Sequence, residues 1–107
     1  MELKQYSIVL VNLDPTVGSE INKTRPCVIV SPDEMNRHLN TVVIAPMTTN
    51  LKEYPSRLLV KQNDTLGMVA IDQIRTVDRK RVIRVFGKLS KAETRECKDV
   101  LKRVFVD

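Results

Sequence analysis

Tryptophan is absent from this 107-residue sequence, and the aromatic residues amount to Tyr6, Tyr54, Phe86 and Phe105. That is too few rings for a surface that reads nucleic-acid bases mainly by stacking. Glycine occurs three times, which leaves no Walker-type or G-x-G-x-x-G phosphate loop. A single histidine, His38, excludes a catalytic histidine pair within one chain. Two cysteines, Cys27 and Cys97, make neither a disulfide framework nor a zinc-spaced cluster. No metal or other cofactor is therefore expected, and the chain reads as cytoplasmic. No apolar run approaches the roughly 18 residues that span a bilayer. The start, Met1-Glu2-Leu3-Lys4-Gln5, lacks the charged-then-apolar order of a signal peptide.

What is abundant points to sheet. Val and Ile number 22 against 10 Leu and 3 Ala, and β-branched side chains suit a pleated, half-buried surface. With 42% apolar and 29% charged residues, residues 1–107 read as one folded domain. Strands are expected at 6–13, 26–31, 41–47, 57–61, 68–76 and 81–87. Strands this short with turn residues between them suggest a small barrel or sandwich. Ser31-Pro32-Asp33-Glu34 predicts a short helix with a capping box, and Ser90 with Glu93 predicts a second. In that second helix Cys97, Val100, Leu101 and Val104 form one apolar stripe at helical spacing. Both thiols are expected to be buried.

The segment 14–25 is long for a strand connection, and long loops are often functional. It ends in Arg25-Pro26, where the proline holds Arg25 extended. A guanidinium fixed there suits a phosphate clamp. Residues 75–88 carry six Lys and Arg against Asp78 alone, a net +5 equal to that of the whole chain. Such a stretch serves either as a protected, solvated hairpin or as part of a groove for a polyanion.

The blocks Leu13-Asp14-Pro15-Thr16-Val17-Gly18-Ser19-Glu20 and Thr24-Arg25-Pro26-Cys27-Val28-Ile29-Val30-Ser31 resemble the MazF/PemK toxins of toxin–antitoxin pairs. Ala45-Pro46-Met47-Thr48-Thr49 and Asp72-Gln73-Ile74-Arg75-Thr76 follow in the same order at similar spacing. The resemblance spans nearly the whole chain. It implies a mainly β (α+β) fold, an SH3-like CcdB/PemK-type barrel with a short helix and a C-terminal helix. It also implies a homodimer with sequence-specific, metal-independent endoribonuclease activity on single-stranded RNA, inhibited by an antitoxin with a disordered acidic tail. The family's catalytic Arg and Thr fall on Arg25 and Thr48, and Glu20 matches a loop glutamate tied to activity. Two positions depart from the pattern. Tyr6-Ser7 replaces a usual Gly-Asp, and Ala70 stands where some members carry a catalytic Arg, which weakens Asp72 as a catalytic candidate.

Metal-free RNA cleavage needs the 2′-OH to attack the adjacent phosphorus, giving a 2′,3′-cyclic phosphate and a 5′-OH; DNA lacks that nucleophile. Arg25 suits charge stabilisation on the phosphorane, and its permanent charge makes it a poor base. Thr48 can donate to a phosphoryl oxygen or relay a proton. For the base, Glu20, His38, Asp72 and water stay open. Thr49, Asn50 and Gln73 are candidates for hydrogen bonds to bases, with Asp72 and Arg75 beside them at the substrate. Specificity is expected to reside in the loops 15–24, 49–56 and 62–67. Each residue also has a plainer reading: Arg25 as a surface ion pair, the two threonines as strand-end caps, Glu20 as a solvated acid, His38 as a cation at a helix C-terminus. Two other functions share the features, a CcdB-like gyrase poison on the same barrel and a non-catalytic RNA-binding barrel.

Overall fold

The computed structural model describes residues 1–62 and 65–107. The chain order is β1 (Ser7–Asn12), β2 (Thr24–Ile29), α1 (Asp33–His38), β3 (Thr41–Thr48), β4 (Arg57–Gln62), β5 (Thr65–Ala70), β6 (Arg75–Asp78), β7 (Val82–Lys88) and α2 (Lys91–Phe105). Short 3₁₀ turns at Ile71–Gln73 and Arg79–Arg81 flank β6. The strands make one seven-stranded sheet in the order β4-β5-β3-β2-β1-β7, with β6 added on β3, and every pairing is antiparallel. It curls into a half-barrel with α2 packed against it. Among the described residues no helix is long and apolar enough to cross a membrane.

Side-chain alternation along the strands builds two cores. Val28 and Val30 join Ile8, Ala45, Met47, Leu58, Val60 and Val69 in one cluster, which Cys97 and Val100 of α2 cover. Their neighbours Cys27 and Ile29 join Val9, Val11, Leu13, Val42 and Ile44 in the other. A period of two sends successive residues to opposite faces, so near-continuous apolar runs such as Cys27–Val30 mark strands buried on both sides.

Two sequence expectations change. The strand expected over 68–76 is broken, because β3 is long enough to host two partners on one edge. β5 pairs with Met47 and Thr48, and β6 pairs with Thr41 to Ile44. The 3₁₀ turn at Ile71–Gln73 makes the step between them, anchored by buried Ile71, whose N–H donates to the Ser56 carbonyl at 3.0 Å. The capping box expected at Ser31 does not form. The N-cap position is Pro32, without a side-chain cap. Ser31 is buried instead, its hydroxyl donating to Asn36 Oδ1 and accepting from Val43 N–H at 3.0 Å. Asn36 and the Val43 N–H of β3 outcompete the local cap, because buried polar groups must be satisfied.

The second helix follows expectation. Ser90 Oγ accepts from Glu93 N–H at 3.1 Å, and Glu93 Oε1 accepts from Ser90 N–H at 2.9 Å. Cys97 and Val100 are buried and Leu101 half-buried, but the stripe stops there, since Val104 is exposed. The segment 62–67, expected as a loop, holds the facing ends of β4 and β5; residues 63 and 64 lie outside the described residues.

Candidate active site

The connection from β1 to β2 folds back on itself. Leu13 N–H donates to the Lys23 carbonyl at 3.0 Å, and Lys23 N–H donates to Asp14 Oδ1 at 2.9 Å. Its tip turns through Gly18, whose φ of 59° suits a residue without Cβ. Glu20 closes the tip, its Oε1 accepting from Val17 N–H. Two arginines brace the base: Arg75 donates to the Leu13 carbonyl at 3.1 Å, and Arg81 donates to the carbonyls of Asn12 and Asp14. On the far side, Ile21 N–H donates to Gln73 Oε1 at 2.7 Å, tying the loop to the 3₁₀ turn.

Between loop and turn lies a cleft of about 380 Å³. Glu20 and Ile21 form one wall, Asp72, Gln73 and Arg75 the other, and Pro46 of β3 lines it between them. Arg25 and Thr48 belong to the adjoining row. Cys27 pairs with Pro46, so continuing the register by two residues sets Arg25 opposite Thr48 on the same face. Arg25 is half-buried, and its Nε donates to the Asn22 carbonyl at 3.1 Å. Thr48 Oγ1 accepts from Asn50 N–H at 3.2 Å, which leaves the hydroxyl proton to donate. Gly67 makes room beside it, since a Cβ there would meet the Thr48 carbonyl oxygen at 3.2 Å. Thr49 and Asn50 follow, exposed at the strand end, with Asn50 Oδ1 accepting from Lys52 N–H at 3.1 Å.

Sequence reading missed Arg57. Its guanidinium grips Asp72 with Nε to Oδ1 at 3.2 Å and Nη2 to Oδ2 at 3.3 Å, and Ser56 Oγ donates to the same Oδ1 at 2.9 Å. Partial burial pushes the Asp72 pKa up, but the hydrogen bonds from Arg57 and Ser56 and the Arg57 charge hold it below the ordinary carboxylate value. Asp72 is thus a paired anion and a weak base. Arg57 is the cross-strand partner of Ala70 in the β4–β5 ladder. A composition scan could not single it out, because the pair depends on that register.

The basic stretch divides its labour. Arg75 lines the cleft, whereas Arg79 donates to the carbonyls of Asn36 and Met1, and Arg81 braces the loop. Arg84 lies over the Phe86 ring at 5.6 Å. His38 is exposed at the end of α1 and does not line the cleft. Among the described residues no group of His, Cys, Asp and Glu has the arrangement of a metal site.

Residues 4–105 match the family model described as PemK-like, MazF-like toxin of type II toxin–antitoxin system. The chain belongs to this family. The toxin is 33% identical to endoribonuclease MazF9 of Mycobacterium tuberculosis over 110 residues, covering 94% of this chain and 93% of that protein. Its fold superimposes on MazF of Deinococcus radiodurans with a TM-score of 0.84 at 23% identity, covering 94% of each chain. A mycobacterial endoribonuclease solved with its cognate antitoxin gives a TM-score of 0.80 at 22% identity, covering 94% of this toxin and 91% of that chain. The SH3-like, MazF-type architecture expected from sequence is therefore the fold of this toxin.

Proposed function

We propose that this toxin is an endoribonuclease that cuts single-stranded RNA, messenger RNA above all, at a phosphodiester held between Arg25 and Thr48. What supports the reading is the β2–β3 register, which, continued two residues beyond the Cys27–Pro46 pair, sets these two residues opposite one another beside the loop-walled cleft. The Arg25 fork takes the two non-bridging phosphoryl oxygens, and the Thr48 hydroxyl donates to one of them. The 2′-oxygen bonds to phosphorus as its proton passes to Glu20. The P–O5′ bond breaks, and the leaving oxygen takes a proton from water. Glu20 is assigned that task because it lines the cleft and makes no ion pair among the described residues, whereas Asp72 is already paired with Arg57. Thr49, Asn50, Gln73, Asp72 and Arg75 would contact flanking nucleotides.

The toxin acts in this reading as a single cytoplasmic domain, paired as a homodimer and neutralised by an antitoxin whose acidic tail competes with RNA for the same site. A long single-stranded RNA incubated with the toxin in EDTA tests the chemistry. Discrete cuts are expected, each leaving a 2′,3′-cyclic phosphate. Arg25→Ala should lower the rate by about 10²–10³, as for other preorganised charge-stabilising donors. Intact RNA at high toxin concentration, or equal cutting by Arg25→Ala, overturns the assignment.

A further inference from the structure

A second cleft, of about 610 Å³, lies on the α2 side of the sheet and is lined by Lys88, Lys91, Arg95 and Lys98 beside Tyr6. No carboxylate lines it. None of the four cations makes an ion pair among the described residues. The Tyr6 ring lies 5.9 Å from Lys98 Nζ. Tyr6 and Leu89 here belong to the core cluster opposite the one that holds Cys27, so this cleft is separate from the one at Pro46.

The helix is sorted by charge. Lys91, Arg95 and Lys98 recur at i, i+4 and i+7, and Lys102 continues the series at i+11. At about 100° per residue these four fall within about 60° of one another on the helix wheel. Of the helix acids, Glu93 accepts from Lys61 N–H and Gln62 Nε2 of β4, Glu96 lines a different cleft, and Asp99, four residues after Arg95, makes no ion pair with it among the described residues. Like charges at these spacings oppose helix formation, and Lys91 sits at the helix end where a cation is least favourable. Lys102 pairs with Asp107 at 3.9 Å, but Lys91, Arg95 and Lys98 make no ion pair among the described residues, and three such cations kept against local preference point to a linear polyanion as their partner. Successive positions lie about 5–6 Å apart, which suits the phosphates of an extended strand.

We propose that the Lys91–Arg95–Lys98 face, with Lys88, is a second RNA-binding surface that holds the backbone of a long transcript away from the cleavage cleft. It deepens the nuclease reading by assigning the substrate a second point of attachment. Its binding test does not require cleavage. The probes are an all-2′-O-methyl 30-mer, which cannot be cut, and a five-nucleotide RNA that fills only the cleavage cleft. The variant is Lys91→Gln/Arg95→Gln/Lys98→Gln, three exposed positions changed to a good helix former, with thermal melting to confirm folding.

Loss of three phosphate contacts should lower the slope of log affinity against log salt by about 2 for the 30-mer, at about 0.7 per contact. KM should rise on long RNA, with kcat and the kinetics on the five-mer unchanged. An unaltered slope, an equal loss on both lengths, or a wild type that fails to hold the 30-mer at low salt overturns the proposal. Loss of a poly-glutamate peptide with RNA binding intact overturns it too, and assigns the face to an acidic protein segment. If the wild type binds with a steep slope but cuts nothing, the nuclease reading falls and the basic surface stands. If it cuts and the variant keeps its slope, the reverse holds.

Discussion

In the proposed site Arg25 and Thr48 would divide the phosphoryl group between a permanent charge and a neutral donor, and the two should respond differently to substitution. Thr48→Val keeps the β-branched shape that the end of β3 accommodates, but removes the hydroxyl that accepts from Asn50 N–H and, in the proposed site, would donate to substrate. Cleavage should fall by about 10–10³-fold, with the loss confined to kcat if the hydroxyl acts in the transition state. Thr48→Ser should recover most of it. A Val variant as active as wild type in single-turnover assays would remove Thr48 from the chemistry. Both candidates come from the family resemblance, which rests on short blocks with fixed neighbours, Arg25 before Pro26 and Thr48 after Pro46-Met47. Arg57 was not legible in the sequence, since its partner Asp72 is brought near only by the β4–β5 ladder and the turn that follows.

At the scale of elements the cleft depends on how the β1–β2 loop is held to the 3₁₀ turn. Gln73 Oε1 accepts from Ile21 N–H, so Gln73→Ala should free the loop wall and speed hydrogen exchange at Ile21. Gln73→Glu keeps an acceptor there and should leave that amide protected. Unchanged exchange in the Ala variant would mean that the loop's own bonds and the Arg75 and Arg81 braces hold it without Gln73. The neighbouring ion pair makes the turn acid-sensitive. Asp72 has its pKa lowered on folding, so its contribution is present above the ordinary carboxylate pKa of about 4 and is lost as pH falls through the lower folded value. Wild type should exceed Asp72→Asn in Tm at pH 7, and the gap should close on acidification below about pH 4. A gap independent of pH would show that the pair adds nothing to stability. The sequence carried the elements themselves, because the apolar runs and the Ser90–Glu93 box are local signals. It did not carry the break at Ile71 or the fate of Ser31, because both are decided by contacts between distant strands.

Across the whole molecule the two cores are independent surfaces of one sheet, and each holds one thiol. Cys27 lies at the centre of β2, where burial pushes its pKa up to about 12 against smaller opposing effects of the Arg75 charge and a Met47 backbone hydrogen bond. Cys97 lies on the buried face of α2, its pKa pushed up to about 11 by burial and, less, by the Glu96 charge. Raised folded values mean that both thiols stabilise the fold below the unfolded cysteine pKa of about 8.5, and that this contribution is lost as pH rises toward 11–12. At neutral pH both should be inert to a thiol reagent until the chain opens. The openings differ in kind. Exposing Cys97 requires only that α2 lift from the sheet, whereas exposing Cys27 requires β2 to leave both β1 and β3. Pulsed alkylation followed by peptide mapping should therefore label Cys97 first, at denaturant concentrations where Cys27 is still protected. Equal labelling of the two at every denaturant concentration would show instead that helix and sheet open as one cooperative unit.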